Sequence, residues 1–160
     1  MAEEEILKIL PKSANQIKVA YIVTAANGNN TYREKHDTDL AHMRELGMQV
    51  TIVELEQKQG EELKNLLSGV DVIYVQGGNT FYLLKYVRES GFDKIIGNLL
   101  EKGIVYIGVS AGSIIMAPTI EVAGWKNLDH NVVSLQDLIA FFWGMNCIMM
   151  IFPRQVPEQP

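Results

Sequence analysis

A serine with glycine two residues to either side, Gly108-Val109-Ser110-Ala111-Gly112, is the part of this sequence best suited to bond-making chemistry. A hydroxyl held on a sharp strand-to-helix turn stands exposed, and the flanking glycines leave the backbone room to make the turn. A helix opening at Ala111 aims unpaired N–H groups at the same spot. There they stabilise the negative charge that develops on a carbonyl oxygen under attack. The string alone arises by chance in about one chain in twenty of this length, so its position has to carry the argument. It follows the apolar run Ile104–Val109 and precedes a short helical stretch. The plainer reading makes Ser110 a helix N-cap, which serine favours, although a cap does not require glycine on both sides.

A second constellation, Gln76-Gly77-Gly78-Asn79-Thr80, ends another buried run. Ligands bind at the carboxyl ends of strands in open parallel sheets. Gly77 and Gly78 let the backbone come close to a ligand, and their amides are donors. A plain tight turn capped by Asn79 or Thr80 accounts for the same residues. Taken together, the two turns suit acyl transfer, one giving a nucleophile and the other an oxyanion donor. A serine hydroxyl also needs a base. The three histidines are His36, His42 and His130. His36 and His42 fall six apart on one helix, on different faces, as surface or boundary residues do. His130, in a loop after Ser110, is the candidate base.

The elements that must position these residues alternate. Lys18–Thr24, Asp71–Val75 and Ile104–Val109 are continuous apolar runs, as expected of strands buried on both faces, and Val50–Leu55 reads as a further strand. A loop over Ala25–Asn30 follows the first. Helices are predicted over Glu3–Leu10, Thr31–Leu46 (stopped by Gly47), Glu61–Leu67, Thr80–Glu89 and Phe92–Glu101, with a short one after Ser110. Such alternation implies right-handed βαβ units and a three-layer α/β/α fold with a mostly parallel sheet. Val132–Leu138 reads as a short strand and turn. The tail from Pro153 reads as irregular.

With 160 residues, 48% of them apolar and 21% charged, the chain suits a single soluble domain over residues 1–160. A net charge of −5 with no basic run argues against a nucleic-acid surface. One cysteine, Cys147, cannot form an internal disulfide, which fits a reducing, cytoplasmic setting. The acidic start is not a secretory signal. Leu138–Phe152 is the most apolar stretch, but it is short for a membrane span and broken by Gly144 and Asn146. It is expected to be buried, or to form an apolar surface through which the chain self-associates.

The stretches YVQGGNTFYLLKYV and YIGVSAGSIIMAPTI closely resemble the serine peptidase family that contains aspartyl dipeptidase (peptidase E) and the cyanophycinases. The resemblance covers about Lys18–Leu138. It implies a class I glutamine-amidotransferase-like fold with a flavodoxin-like sheet. It also implies hydrolysis of small peptides with no metal or organic cofactor. Ser110 then matches the nucleophile, and Gly78 and Ala111 the backbone oxyanion donors, with Gly77 and Asn79 beside them. Asp129 is the nearest match to the family's acidic partner, and Glu121 a second. The family's histidine, in a segment like I-x-P-H, is replaced here in Ile151-Phe152-Pro153-Arg154, and arginine cannot serve as a base. Residues 139–160 depart from the family pattern, and the chain reads as shortened at both ends. The alternative function is therefore a non-catalytic homologue, a binding or assembly domain that keeps the elbow.

Overall fold

The computed structural model describes residues 7–28, 33–125, 129–140 and 147–150, with 33–37 and 147–150 described by backbone only. Among the described residues five strands form one sheet: β1 (Lys18–Ile22), β2 (Gln49–Val53), β3 (Val72–Val75), β4 (Val105–Val109) and β5 (Cys147–Met150). Their order is β2-β1-β3-β4-β5, and each pairing is parallel. The helices are α1 (Arg33–Glu45), α2 (Gly60–Leu67), α3 (Thr80–Ser90), α4 (Phe92–Glu101) and the single turn α5 (Ala111–Ile114).

The apolar runs are continuous because both faces of the sheet are covered. Ala20 and Ile22 of β1 and Ile73 and Val75 of β3 point to one side. There they pack with Leu63 and Leu67 of α2, Leu84 and Val87 of α3, and Phe92 and Ile96 of α4. The alternate residues Val19, Tyr21, Val72 and Tyr74 point to the other side, toward Met43 of α1 and Met48. These layers make the three-layer α/β fold expected from the sequence. β2, an edge of the sheet, shows the opposite extreme: only Val53 of its five residues is buried.

The differences from the sequence expectations lie at element ends and beyond β4. The first strand ends at Ile22 rather than Thr24, because Thr24 turns inward and its Oγ1 accepts the Leu55 N–H at 2.8 Å. Residues 24–28 then coil into a 3₁₀ turn. Val132–Leu138 forms no strand. The Asn131 side chain both accepts from Leu135 N–H and donates to its carbonyl, 2.8 Å each, closing a loop instead of leaving those groups for a ladder. One antiparallel bridge, Thr119 to Ile139, pairs this region. Within Leu138–Phe152, Cys147–Met150 is the fifth strand. Residues 7–9 are helical and Leu10 lies past their end; residues 3–6, the start of the Thr31–Leu46 helix and Pro153-Arg154 lie outside the described residues.

Candidate active site

In a 2-1-3-4-5 sheet the strand order reverses between β1 and β3, and the crevice at the carboxyl ends of the strands is where ligands bind. Three turns converge there, those after Ile22, Val75 and Val109.

The turn after β4 carries Ser110, whose backbone sits at φ 49°, ψ −105°. A non-glycine residue with positive φ outside the left-handed helical well is strained by about 1–3 kcal/mol. Packing enforces it. A Cβ on Gly108 would lie 2.6 Å from the Gly112 carbonyl oxygen, and one on Gly112 would lie 2.2 Å from that of Val75. Both glycines are therefore required by close approach of α5 to β4 and β3. Two buried side chains brace the corner. Tyr106 Oη donates to Gly112 O and Ser113 Oγ to Gly108 O, each at 2.6 Å. Ser110 is partly exposed, and its carbonyl accepts from Ser113 and Ile114 N–H at 2.9 Å each.

The turn after β3 lies directly beside it. A Cβ on Gly77 would come within 3.2 Å of Ser110 Cβ. Gly78, at φ 152°, passes so close to β1's turn that a Cβ there would lie 2.2 Å from Ala25 O. The N–H groups along this segment are almost all engaged. Gln76 donates to Ile22 O at 2.9 Å, Asn79 to Ala25 O at 2.8 Å, Gly77 to Gln76 Oε1 at 2.8 Å and Thr80 to Asp129 Oδ1 at 2.8 Å. Among the described residues, the N–H groups of Gly78 and Ala111 make no hydrogen bond. Asn79 is the N-cap of α3, its Oδ1 accepting from Tyr82 N–H at 2.8 Å.

Asp129 and His130 both contact the start of α3, beside the glycine turn. Asp129 is buried, and both its oxygens are taken by Thr80, through N–H at 2.8 Å and Oγ1 at 2.5 Å. His130 is exposed, and its carbonyl accepts from Asn79 Nδ2 at 2.7 Å. The 129–130 segment is thus clamped onto the glycine turn. His42 is half-exposed, 3.9 Å from Glu45; the side chain of His36 lies outside the described residues. Glu121 is exposed in a 3₁₀ turn. No group of metal-ligating side chains occurs among the described residues, nor does a helix long and apolar enough to cross a membrane.

The sequence reading missed the groups behind these turns. The Gln76 side chain donates to Tyr21 Oη at 3.0 Å and to Asp39 Oδ2 at 3.1 Å, and the same Asp39 oxygen accepts from Tyr74 Oη at 3.1 Å. Burial first, then the Asp39 charge, hold the Tyr74 phenol far above its ordinary range, so it stays a donor. Nothing in the local pattern of α1 marks Asp39. A polar glutamine at the end of the otherwise apolar run VIYVQ was the one signal available.

These features define a doubly wound, flavodoxin-ordered α/β domain with two glycine-built turns meeting at its carboxyl edge. The chain belongs to peptidase family S51, whose family model matches residues 1–141. It is 38% identical over 93 residues to an uncharacterised peptidase of Listeria monocytogenes, covering 58% of this chain and 45% of the other. It is 34% identical over 114 residues to peptidase E of Salmonella arizonae, covering 69% and 48%. A crystal structure of a Listeria monocytogenes protein assigned to peptidase E superposes with a TM-score of 0.76 at 28% identity, over 86% of this chain and 67% of that one. The chain spans about half the length of the curated relatives it matches, 45% and 48% for these two.

Proposed function

We propose that this chain is a serine-type peptidase domain that hydrolyses small peptides without a cofactor, with Ser110 as nucleophile. The observation that carries the reading is the strained Ser110 beside the N–H groups of Gly78 and Ala111, which have no hydrogen-bond partner among the described residues. Ser110 Oγ attacks the scissile carbonyl carbon. The new C–O bond pushes the carbonyl electron pair onto oxygen, where the two N–H groups receive it. Collapse breaks the C–N bond, and the amine leaves with a proton. Water then repeats the attack on the acyl ester and frees Ser110. A base must take the hydroxyl proton and return it to the amine.

His130 is the candidate base. Asp129 is the candidate acidic partner; each of its oxygens accepts one bond from Thr80, and a carboxylate has about four acceptor sites. Gly77 and Asn79 shape the site, the first by leaving space over Ser110 and the second as a cap.

One observation favours a second reading, a binding domain without hydrolysis: Arg154 stands where the resembling family has its histidine. Labelling with a fluorophosphonate probe, read by intact mass, separates the two. Adduct on the wild type and none on Ser110→Ala supports the peptidase, and loss of adduct in His130→Ala assigns the base. A folded wild type that stays unlabelled supports the binding domain. In that case Arg154→His is expected to switch labelling on, since a general base contributes about 10²–10⁴-fold.

A further inference from the structure

We propose that Gln76 is a positioning residue, which fixes the Gly77–Gly78 peptide so that the Gly78 N–H faces Ser110. The functional meaning rests on the peptidase reading above; the positioning itself does not. Gln76 is buried at 4% exposure just beyond β3, at the switch point of the sheet. Its amide makes three bonds, all of them oriented. Oε1 accepts the Gly77 N–H, and Nε2 donates to Tyr21 Oη and Asp39 Oδ2. Flipping the amide would set Nε2 against an N–H and Oε1 against a carboxylate, so one orientation is fixed.

The consequence follows from the glycines. The peptide between Gly77 and Gly78 hangs between two anchored neighbours. On one side Gln76 Oε1 holds the Gly77 N–H, and on the other Ala25 O holds the Asn79 N–H. With no Cβ at either position, the local backbone leaves that peptide many orientations, and the hydrogen bonds add to the close packing of Gly78 on Ala25 in fixing one. Asp39 holds Gln76 in turn. Tyr74 donates to the same carboxylate and stacks on Tyr21, ring centroids 5.0 Å apart and planes 10° apart, so the two tyrosines and Asp39 form one rigid seat for the glutamine.

The test uses Gln76→Leu, Gln76→Glu and the isosteric swap Asp39→Asn/Gln76→Glu. Gln76→Glu brings two carboxylates together. The swap restores one donor and one acceptor, with the tyrosine hydroxyls reversing roles. Amide exchange of Gly77, followed by NMR, reads the Gln76 bond without any need for activity. Exchange is expected to quicken at least tenfold in Gln76→Leu and Gln76→Glu and to return to within about threefold of wild type in the swap. In a chain whose Ser110 labels, the labelling rate is expected to follow the same order, with kcat for a peptide falling and KM nearly unchanged. Gly77 exchanging at an unprotected rate in the wild type, or unchanged in Gln76→Leu, overturns the proposal. So does a labelling rate that ignores Gln76→Glu while Gly77 protection is lost. A wild type that never labels refutes the peptidase reading alone, and the exchange data then decide this one.

Discussion

Replacing Gly112 with alanine tests whether close backbone approach builds the serine corner. An added Cβ would lie 2.2 Å from Val75 O, 2.9 Å from Val75 C and 3.0 Å from Val75 Cβ. Ordinary carbon–oxygen contacts are about 3.3 Å, so something must move by roughly 1 Å. β3 is pinned on both sides by parallel ladders to β1 and β4, which leaves α5 to give way. That shift would pull Gly112 O from the Tyr106 hydroxyl, now 2.6 Å away, and carry Ser110 along, because the Ser110 carbonyl is bonded to Ser113 and Ile114. Overpacking costs about 1–3 kcal/mol and the lost buried bond about 1 more. The sum, roughly 2–4 kcal/mol, corresponds to a melting temperature lower by about 5–15 °C for a domain of this size.

Urea unfolding measures the stability, and Ser110 labelling the displacement. A 1 Å misplacement is expected to slow labelling on the order of 10²-fold. Two controls separate contact from conformation. Gly69→Ala meets nothing and has no positive φ, so it is expected to be nearly neutral. Gly103→Ala meets nothing but sits at φ 87°, so it should cost only the backbone penalty, about 1–2 kcal/mol. Gly112→Ala unfolding within about 0.5 kcal/mol of wild type would refute the reasoning.

Ser110→Gly is expected to be more stable than Ser110→Ala by about 0.5–2 kcal/mol, since only glycine relieves φ 49°; equal thermal melts would remove the claim of strain. Asp129→Ala takes away both bonds to Thr80 and is expected to cost about 2–3 kcal/mol in urea unfolding. A loss below about 0.5 kcal/mol would deny its hold on the α3 start. Burial raises the Asp71 carboxyl, but bonds from Lys12 and the Lys18 N–H outweigh it and hold its pKa below the ordinary value. Its contribution is therefore present above about pH 4 and lost as pH falls through the depressed folded value. Asp71→Asn should melt lower than wild type at pH 7, with the gap closing toward pH 3; a gap independent of pH would contradict this.

The sheet was legible because burial on both faces writes itself as unbroken apolar runs, and DVIYV and IVYIGV needed no partner to be read as strands. Gly108, Gly112 and Gly78 were legible for a related reason, since tight contact at a turn demands a residue type that stands out. The edge was harder to see. Cys147–Met150 sits in a longer apolar stretch, where periodicity cannot tell a strand from a helix. Side-chain roles were hardest of all. Asp129 was matched to an acid partner by its place in the sequence, but only tertiary structure brings Thr80, 49 residues away, to both of its oxygens. Asp39 is likewise invisible in α1 until Tyr74 and Gln76 arrive, 35 and 37 residues later.

The clamp also bears on where a base can come from. β4 and β5 run side by side, with Val109 paired with Met150. The arginine that the sequence carries at Arg154 can hold a carboxylate or an oxyanion, but it cannot take a proton from a hydroxyl. Under the proposed peptidase reading a base would have to come from elsewhere, and the 129–130 segment, which carries His130, is tied to the glycine turn through Asn79 and Thr80. A base carried on that segment would share its anchors with the Gly78 N–H. Loosening the clamp would then displace proton acceptor and oxyanion donor together, so Asn79→Ala and Thr80→Ala should fall in kcat by similar factors. Substitutions on the α5 side of Ser110, such as Tyr106→Phe, would disturb Ser110 and the Ala111 N–H together and leave the Gly78 side in place.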